Sequence, residues 1–518
     1  MARVVIDGLI STFGLRSTLN MQFTQKQYFP FLALAILSIP LFFLNIYDVH
    51  SWGDDFAQYI KEALNIAHGK RYYLSGYVYN PYNTEYAPPQ YPPGYPLLLA
   101  PVVKMWGISY RAMAYFNTCI TAGLLFALFA YFRKHAGKVA AVCIAVLITY
   151  SGYILGLKAN VLADLSCLLC IVLYLGARNT WQFSRKRILL LIVLTVSAML
   201  MRSQAGLLLV AEGLYLLLSM AKKIVKERKI NIQQIATHPS VLITFGGILL
   251  FLLIDKVVFY TPVKTSAFYN QFIERAIHRP LMDSVKDNIV LLTKQLTMFF
   301  HYDTARIFPT VAMSVMESAA LVFVILGFII SVMKRLAVDD VFFMLMCLLV
   351  LYLPVHDLRY FLPAIPLLFY YCYTSLRIIV PAIAKTDTRA IAIGITLFYL
   401  YIGSEYLQKA ATIVPAGCIP HPKDLAAFSY IKNHVKDDEI IVFVKPRLLT
   451  LYTDKRAINT AWQVSPAKNK AILDSLQVTY MLVVDGLDDP YFKTYLRETQ
   501  HPLDSTRIAT GYTLYRLR

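Results

Sequence analysis

Charge is scarce in this sequence. Of its 518 residues only 16% are Asp, Glu, Lys or Arg, whereas 57% are hydrophobic. A water-soluble globular chain does not reach that balance, so a soluble enzyme is excluded and lipid is the expected solvent. Acidic residues are the scarcer sign, 31 against 50 basic, for a net charge of +19. That excess does not point to nucleic acid, because Lys and Arg sit in short clusters between apolar runs rather than along one face. Cysteine is also sparse. Of the seven, Cys119, Cys143, Cys167, Cys170, Cys347 and Cys372 lie inside apolar runs, and Cys418 alone falls in a polar region. They read as small buried hydrophobes; the CxxC spacing of Cys167 and Cys170 has no further ligands, and no disulfide framework is indicated. Also missing are a GxxxxGK[ST] loop, a GxGxxG after a strand and a His/Glu zinc motif, which leaves nucleotide hydrolysis and metalloprotease chemistry without support. Residues Met1 to Gln27 lack a short apolar core with a small-residue cleavage site, so the first span is expected to direct insertion itself.

What is present is a succession of apolar runs. A spanning helix needs about 20 mostly apolar residues. Segments near 28–47, 110–132, 139–156, 162–177, 187–202, 204–221, 239–258, 312–333, 340–355, 360–380 and 388–405 meet that need, which makes about eleven spans. The shorter stretch from Pro92 to Trp106 starts with two prolines and contains Lys104, so it reads as an interfacial or re-entrant helix.

The basic clusters test this topology, since a miscount would scatter them over both sides. With the N-terminus inside, Arg133, Lys134 and Lys138, then Arg178 and Arg185 to Arg187, then Lys222 to Lys229, all fall on the cytoplasmic side. Lys334 with Arg335, and Arg377 with Lys385 and Arg389, complete the set. The short outer connections keep single cations, Lys158, Arg202 and Arg359, and two long outer loops remain near 48–109 and 259–311. An odd number of spans puts the tail outside as well. The expected fold class is therefore an all-α polytopic membrane protein, residues 1–407, with a small C-terminal α/β extracytoplasmic domain, residues 408–518. In that tail Lys423–Val435 has helical periodicity, while Glu439–Val444 and Val478–Val484 read as buried strands.

Chemistry concentrates just outside the first span, in SWGDDFAQYIKEALNIAHGKRYY from Ser51 to Tyr73. Asp54 and Asp55 open a short helical pattern at the bilayer boundary. One Asp suffices to cap a helix; a second leaves a carboxylate available as a base. A Tyr- and Pro-rich loop follows, from Tyr72 to Tyr95. Proline fixes its backbone and its rings suit the interface, either as an aromatic belt or as platforms for sugar rings. Tyr59, Tyr86, Tyr91, Tyr95 and Tyr360 are the candidate sugar and acceptor contacts. Asp164, in NVLADLS at the mouth of the fourth span, is either a helix-start residue or faces a polar cavity. Arg202 and Arg359 are isolated cations at outer helix ends; each is able to snorkel, and together they suit a phosphate at the bilayer surface. His278, Arg279, His301, Tyr302 and Arg306, in the second long loop, read as solvated loop residues.

These residues resemble the polyprenyl-phosphate-sugar-dependent glycosyltransferases of GT-C fold, which include protein O-mannosyltransferases and lipid A aminoarabinose transferases. The likeness spans nearly the whole chain and is carried by DDFAQY after the first span, PPGYPLLLAP, NVLADLS, RYFLPAIP, and KPRLLTLYTDKRA in the tail. It implies that Asp54 activates the acceptor hydroxyl while Asp55 and Asp164 orient the acceptor or the base. Members of the family typically have Lys or His before the double proline of the first loop, where this chain has Tyr91. The positive charge for the donor phosphate then falls to Lys158, Arg202 and Arg359.

The implied activity is transfer of a sugar from a polyprenyl-phosphate donor to an acceptor hydroxyl on a glycan, lipid or protein. It would proceed with inversion, at the outer side of a plasma or bacterial inner membrane, among membrane lipids and without nucleic acid. No cofactor is required by that scheme, no metal ligand is assigned, and a divalent ion is compatible with it. A lipid-linked glycan transporter or flippase would instead show broken helices at mid-membrane in two corresponding halves. A polysaccharide polymerase or ligase would show a large outer loop in the C-terminal half in place of the acidic pair.

Overall fold

The computed structural model describes residues 25–518 apart from 81, 83–89, 180–182, 228–236, 261–279, 281, 284, 287, 291–292, 294–309, 353–356, 385–387, 415–416, 461–463, 488 and 500–503. Tyr86 and most of the second long outer loop, with His278, Arg279, His301, Tyr302 and Arg306, therefore lie outside the described residues.

The chain is mostly helical. Helix α1 (Gln25–Ser38) leads through a 3-10 turn to the first outer loop, which holds α2 (Asp55–Ala67) and α3 (Gly94–Trp106). The bundle continues with α4 (Tyr110–Thr149), α5 (Gly152–Ala159), α6 (Asp164–Arg178), α7 (Arg185–Met201), α8 (Leu207–Glu227) and α9 (Pro239–Leu253). After the second loop come α10 (Thr310–Lys334), α11 (Val338–Tyr352), α12 (Ile365–Ala384), α13 (Thr388–Ile402) and α14 (Ser404–Thr412). Serine side chains start several of these: Ser109, Ser151 and Ser184 accept from backbone N–H groups three residues on, which satisfies donors the helix leaves orphaned.

Among the described residues, five helices are long and apolar enough to cross a membrane: Tyr110–Thr149, Ser203–Lys223, Pro239–Val258, Val315–Lys334 and Leu362–Ile379. A sixth arises if Arg389–Ile402 and Ser404–Thr412, bent by 51°, count as one span. Their outer faces are apolar and uncovered, with Phe245, Leu249 and Met333 at 70%, 71% and 81% exposure. In water such surfaces would aggregate; in a bilayer they are the lipid-facing side. The chain is thus a multi-pass membrane protein.

Two boundaries differ from expectation. The runs near 110–132 and 139–156 join into one long helix broken at Gly137, whose φ of 78° only glycine adopts without strain. The second of them ends at Thr149 because Ser151 starts the separate α5. Close approach also fixes one glycine: a Cβ on Gly327 of α10 would lie 1.8 Å from the Tyr371 carbonyl oxygen of α12. Small residues of this kind let membrane helices meet where lipid offers no hydrophobic drive.

The last hundred or so residues form α15 (Pro422–His434), β1 (Ile440–Val442), α16 (Pro446–Thr453), β2 (Arg456–Ile458), α17 (Pro466–Ser475), β3 (Val478–Val484), α18 (Asp489–Thr499), β4 (Asp504–Ala509) and β5 (Tyr512–Arg516). Their sheet has the order β2-β1-β3-β5-β4, parallel among β2, β1 and β3 and antiparallel at β5 and β4. One sheet face, with Ile441, Phe443, Leu482 and Leu514, joins the same apolar cluster as the helical bundle. The other, with Val442, Met481 and Val483, packs against Leu473 of α17 and Phe492 and Tyr495 of α18.

The first long loop, residues 48–109, is stitched to this sheet. Val78 N donates to Ala457 O at 2.8 Å and Ala457 N to Gly76 O at 3.1 Å, adding the loop to the edge of β2. His50 and Ile419 exchange both backbone hydrogen bonds at 2.7 Å, and Lys61 pairs with Asp454. The structure accordingly unites residues expected in separate domains around a shared interface.

Candidate active site

The acidic pair sits where the first long loop, the bundle and the C-terminal α/β part meet. Asp54 precedes α2 yet does not cap it. Its Oδ1 instead accepts from the backbone N–H groups of Arg447 and Leu448, at 3.0 and 3.2 Å, and so caps α16 in the distant tail. A carboxylate at a helix N-terminus is favoured by the orphaned donors and the dipole. The side chain is 8% exposed, with Arg447 Nε 3.8 Å from Oδ2. Burial raises its carboxyl to about 6, against the pull of Arg447 and the Leu448 N–H.

Asp55, one residue on, faces the open. Its side chain is 32% exposed, and it accepts from the Tyr91 hydroxyl at 2.7 Å and Arg359 NH1 at 3.2 Å. Burial alone would raise this carboxyl, but the guanidinium groups of Arg447 and Arg359 outweigh it and hold Asp55 below its ordinary value. It is therefore ionised at any physiological pH. Both hydrogen bonds to Asp54 fall on Oδ1 and hold the start of α16, whereas its buried Oδ2 has no hydrogen-bond partner among the described residues.

Opposite stand Asp164 and Arg202, at the starts of α6 and the α7–α8 corner. Arg202 NH2 donates to Asp164 Oδ2 at 2.7 Å. Asp164 Oδ1 and Arg202 Nε, both buried, have no hydrogen-bond partner among the described residues. Buried polar atoms are ordinarily satisfied, so an orphaned acceptor beside an orphaned donor marks a place for a polar ligand. Arg359 extends this cluster: Asp357, which caps its 3-10 turn, accepts from Arg359 Nε at 2.6 Å, and the charges of Asp164 and Arg202 both act on it. Asp55, Asp164, Arg202 and Arg359, from four separate stretches of sequence, thus form one electrostatic group.

Lys158 does not join it. Its ammonium is buried on the Leu44 carbonyl and on Thr118 Oγ1 at 3.1 Å, satisfying groups within the bundle. The reading of Lys158 as a phosphate ligand is corrected on that ground: the C-terminal end of α5 turns it inward. The tyrosines divide likewise. Tyr59 is buried and stacks on Tyr91, with ring centroids 4.5 Å apart, and Tyr95 is buried with its hydroxyl on Asn117 Oδ1 at 2.9 Å. Those two rings support the site from behind instead of facing a sugar. Tyr91 is half-buried with its hydroxyl on Asp55, and Tyr360, also partly open, lies within electrostatic reach of Arg202 and Arg359.

Arg447 is the residue that sequence reasoning passed over. It is wholly buried, donates to the Tyr91 hydroxyl at 3.0 Å, and lies over the rings of Tyr77 and Tyr91 at 4.8 and 5.0 Å. Its NH1 is 3.6 Å from Asp55 Oδ1, so it bridges both carboxylates. The signal existed in KPRLLTLYTDKRA, a basic stretch of the tail, but nothing local says that its arginine folds inward. Behind it Glu62, accepting from Gln58 and the Tyr91 backbone N–H, is raised by burial to about 8. Among the described residues, no group of three or more His, Cys, Asp or Glu is arranged to hold a metal.

No protein-family model matches the sequence, and no curated protein matches it significantly. Solved structures do. The oligosaccharyltransferase AglB from Archaeoglobus fulgidus, in complex with an inhibitory peptide and a dolichol-phosphate, superposes with a TM-score of 0.56 at 12% identity, over 95% of this chain and 74% of that one. Apo ArnT from Cupriavidus metallidurans gives 0.53 at 12% identity over 94% and 97%. The arabinofuranosyltransferase AftD from Mycobacteria gives 0.53 at 12% over 96% of this chain and 40% of its own. At such identity the likeness speaks for architecture, and on that basis the chain has the GT-C fold of membrane glycosyltransferases.

Proposed function

We propose that the protein transfers a sugar from a polyprenyl-phosphate donor to an acceptor hydroxyl at the outer surface of a bacterial inner membrane. In this reading all of the about eleven apolar runs span the bilayer, and the C-terminal α/β part is an extracytoplasmic domain. The observation that carries it is the group formed by Asp55, Asp164, Arg202 and Arg359, with a buried acceptor and a buried donor left without partners. Two similar proteins support the donor class: AglB was solved with a dolichol-phosphate and ArnT from Cupriavidus metallidurans with undecaprenyl phosphate.

In the mechanism Asp55 takes the proton of the acceptor hydroxyl as its oxygen attacks the anomeric carbon. The bond from that carbon to the phosphate oxygen breaks with inversion, and polyprenyl phosphate leaves. Arg202 and Arg359, each presenting several N–H donors, stabilise the charge that builds on the departing phosphate. Asp164 holds the Arg202 guanidinium in place, and Tyr360 is the ring best placed to contact the sugar. Asp54 acts through α16 as a positioning residue.

Incubating purified protein with a panel of polyprenyl-phosphate sugars and an acceptor extract should release free polyprenyl phosphate from at least one donor. Monodisperse protein that releases none from the whole panel would refute the reading. The pH profile separates the two carboxylates. A base at Asp55, held below its ordinary value, keeps the rate level as the medium is acidified to roughly pH 5. A base at Asp54 would lose activity as pH falls through about 6.

A further inference from the structure

The far end of the bundle holds a second feature that sugar transfer does not use. Between the second half of α4, α12 and α13 lies a cavity of about 110 Å³, lined by Ile144, Leu147, Phe369, Cys372 and Ala392, and reaching Ile395, which is 43% exposed. The cavity thus opens sideways, toward the lipid-facing surface. An apolar space of this size does not hold ordered water, and its walls lack dispersion partners unless a hydrocarbon fills it.

Its other end is not apolar. Arg377 closes the cavity there, exposed, with one hydrogen bond, from NH1 to the His135 carbonyl oxygen at 3.4 Å, and no ion pair among the described residues. Tyr373, which also lines the cavity, donates its hydroxyl to Ala136 O at 3.1 Å. These two contacts bring α12 against the break at Gly137, next to the exposed basic run of Arg133, Lys134 and Lys138. Arg377 lies roughly 18 Å along α12 from its first residue, Ile365, which follows Arg359 by six positions. The cavity is therefore separate from the candidate active site and nearer the opposite leaflet.

We infer that an anionic glycerophospholipid of the opposite leaflet binds here, one acyl chain in the cavity and its phosphate on Arg377. The occupant follows from charge complementarity. A hydrocarbon slot open to the bilayer takes a chain already dissolved there, and a guanidinium at its mouth, within a positive surface, selects a phosphate whose head group carries no compensating cation. A zwitterionic lipid of the same chain length fits the slot but brings its own positive charge to Arg377. The bound lipid would tie α13 to the break in α4, giving the bundle a lipid-dependent joint remote from the chemistry.

The test uses the full-length protein in nanodiscs with trace phosphatidylglycerol or phosphatidylcholine, each bearing a photoactivatable acyl chain, and maps crosslinked peptides. Crosslinks on residues 391–399 should form from phosphatidylglycerol about tenfold more than from phosphatidylcholine. Arg377→Gln should bring the two within about twofold while still crosslinking, and Ala392→Phe, which fills the slot, should remove crosslinks from that segment with either lipid. Equal crosslinking of the two lipids in the wild type, a preference that survives Arg377→Gln, or unchanged crosslinking in Ala392→Phe would overturn the inference. Displacement by added undecaprenyl phosphate would also overturn it, by making the slot part of the donor site.

Discussion

Replacing Asp55 with Asn is expected to lower single-turnover release of polyprenyl phosphate by about 10³-fold, the loss typical of removing a general base. Asn keeps the shape of the side chain and still accepts from the Tyr91 hydroxyl and from Arg359, so donor binding should change by less than about threefold. The loss thus belongs to the chemical step. Asp54→Asn provides the contrast. Its amide oxygen still accepts the two N–H groups that open α16, while the attraction to Arg447 is gone. Burial already disfavours that charge, so at neutral pH thermal stability should change little and only a modest fraction of the rate should be lost. Activity in Asp55→Asn within tenfold of the wild type, or a greater loss in Asp54→Asn, would return the base to Asp54.

Arg447→Met should destabilise the protein by roughly 3 kcal/mol, because it strands two carboxylates in a partly dry site. Met retains most of the apolar stem, so the deficit reports the guanidinium and its partners Asp54, Asp55 and Tyr91. The deficit should also depend on pH in a definite direction. Asp54 has its folded value raised to about 6. Its contribution to stability is thus fully present below its ordinary value of about 3.9 and is lost as pH rises through the folded value. Without Arg447 only Lys445 and the α16 N–H groups offset its charge, so the difference in Tm between variant and wild type should widen from pH 5 to pH 8. Arg447→Lys keeps a charge but not the fork that reaches both carboxylates and Tyr91, so it should fall between the two. Equal melting of the Met variant and the wild type at pH 8 would show that Arg447 does not hold the site together.

Much of the architecture was legible because it follows from local composition. Long apolar runs such as Pro239–Val258 and Val315–Lys334 must be helices in lipid, where every backbone polar group has to be satisfied within its own segment. VTYMLVV is a strand in any compact setting, given its β-branched content and its turn-bounded length. The join at Gly137 was less legible: a single glycine between two apolar runs reads equally as a loop or as a break within one helix. Of the candidate site, Asp55, Asp164, Arg202 and Arg359 stood out in the sequence as isolated charges beside apolar runs. Which carboxylate caps α16 was not, since Asp54 and Asp55 are identical in type and adjacent.

Sequence alone determined that this chain lives in a membrane and that its tail builds a sheet. Those follow from solvation, because a bilayer core admits no unpaired charge or amide and tells each segment so independently of the others. Tertiary structure decided which of the two aspartates caps α16, the inward turn of Lys158, and the arrival of Arg447 against both carboxylates. A helix N-terminus and a carboxylate attract each other over a few ångströms, and only the folded chain brings residues 54 and 447 within that range.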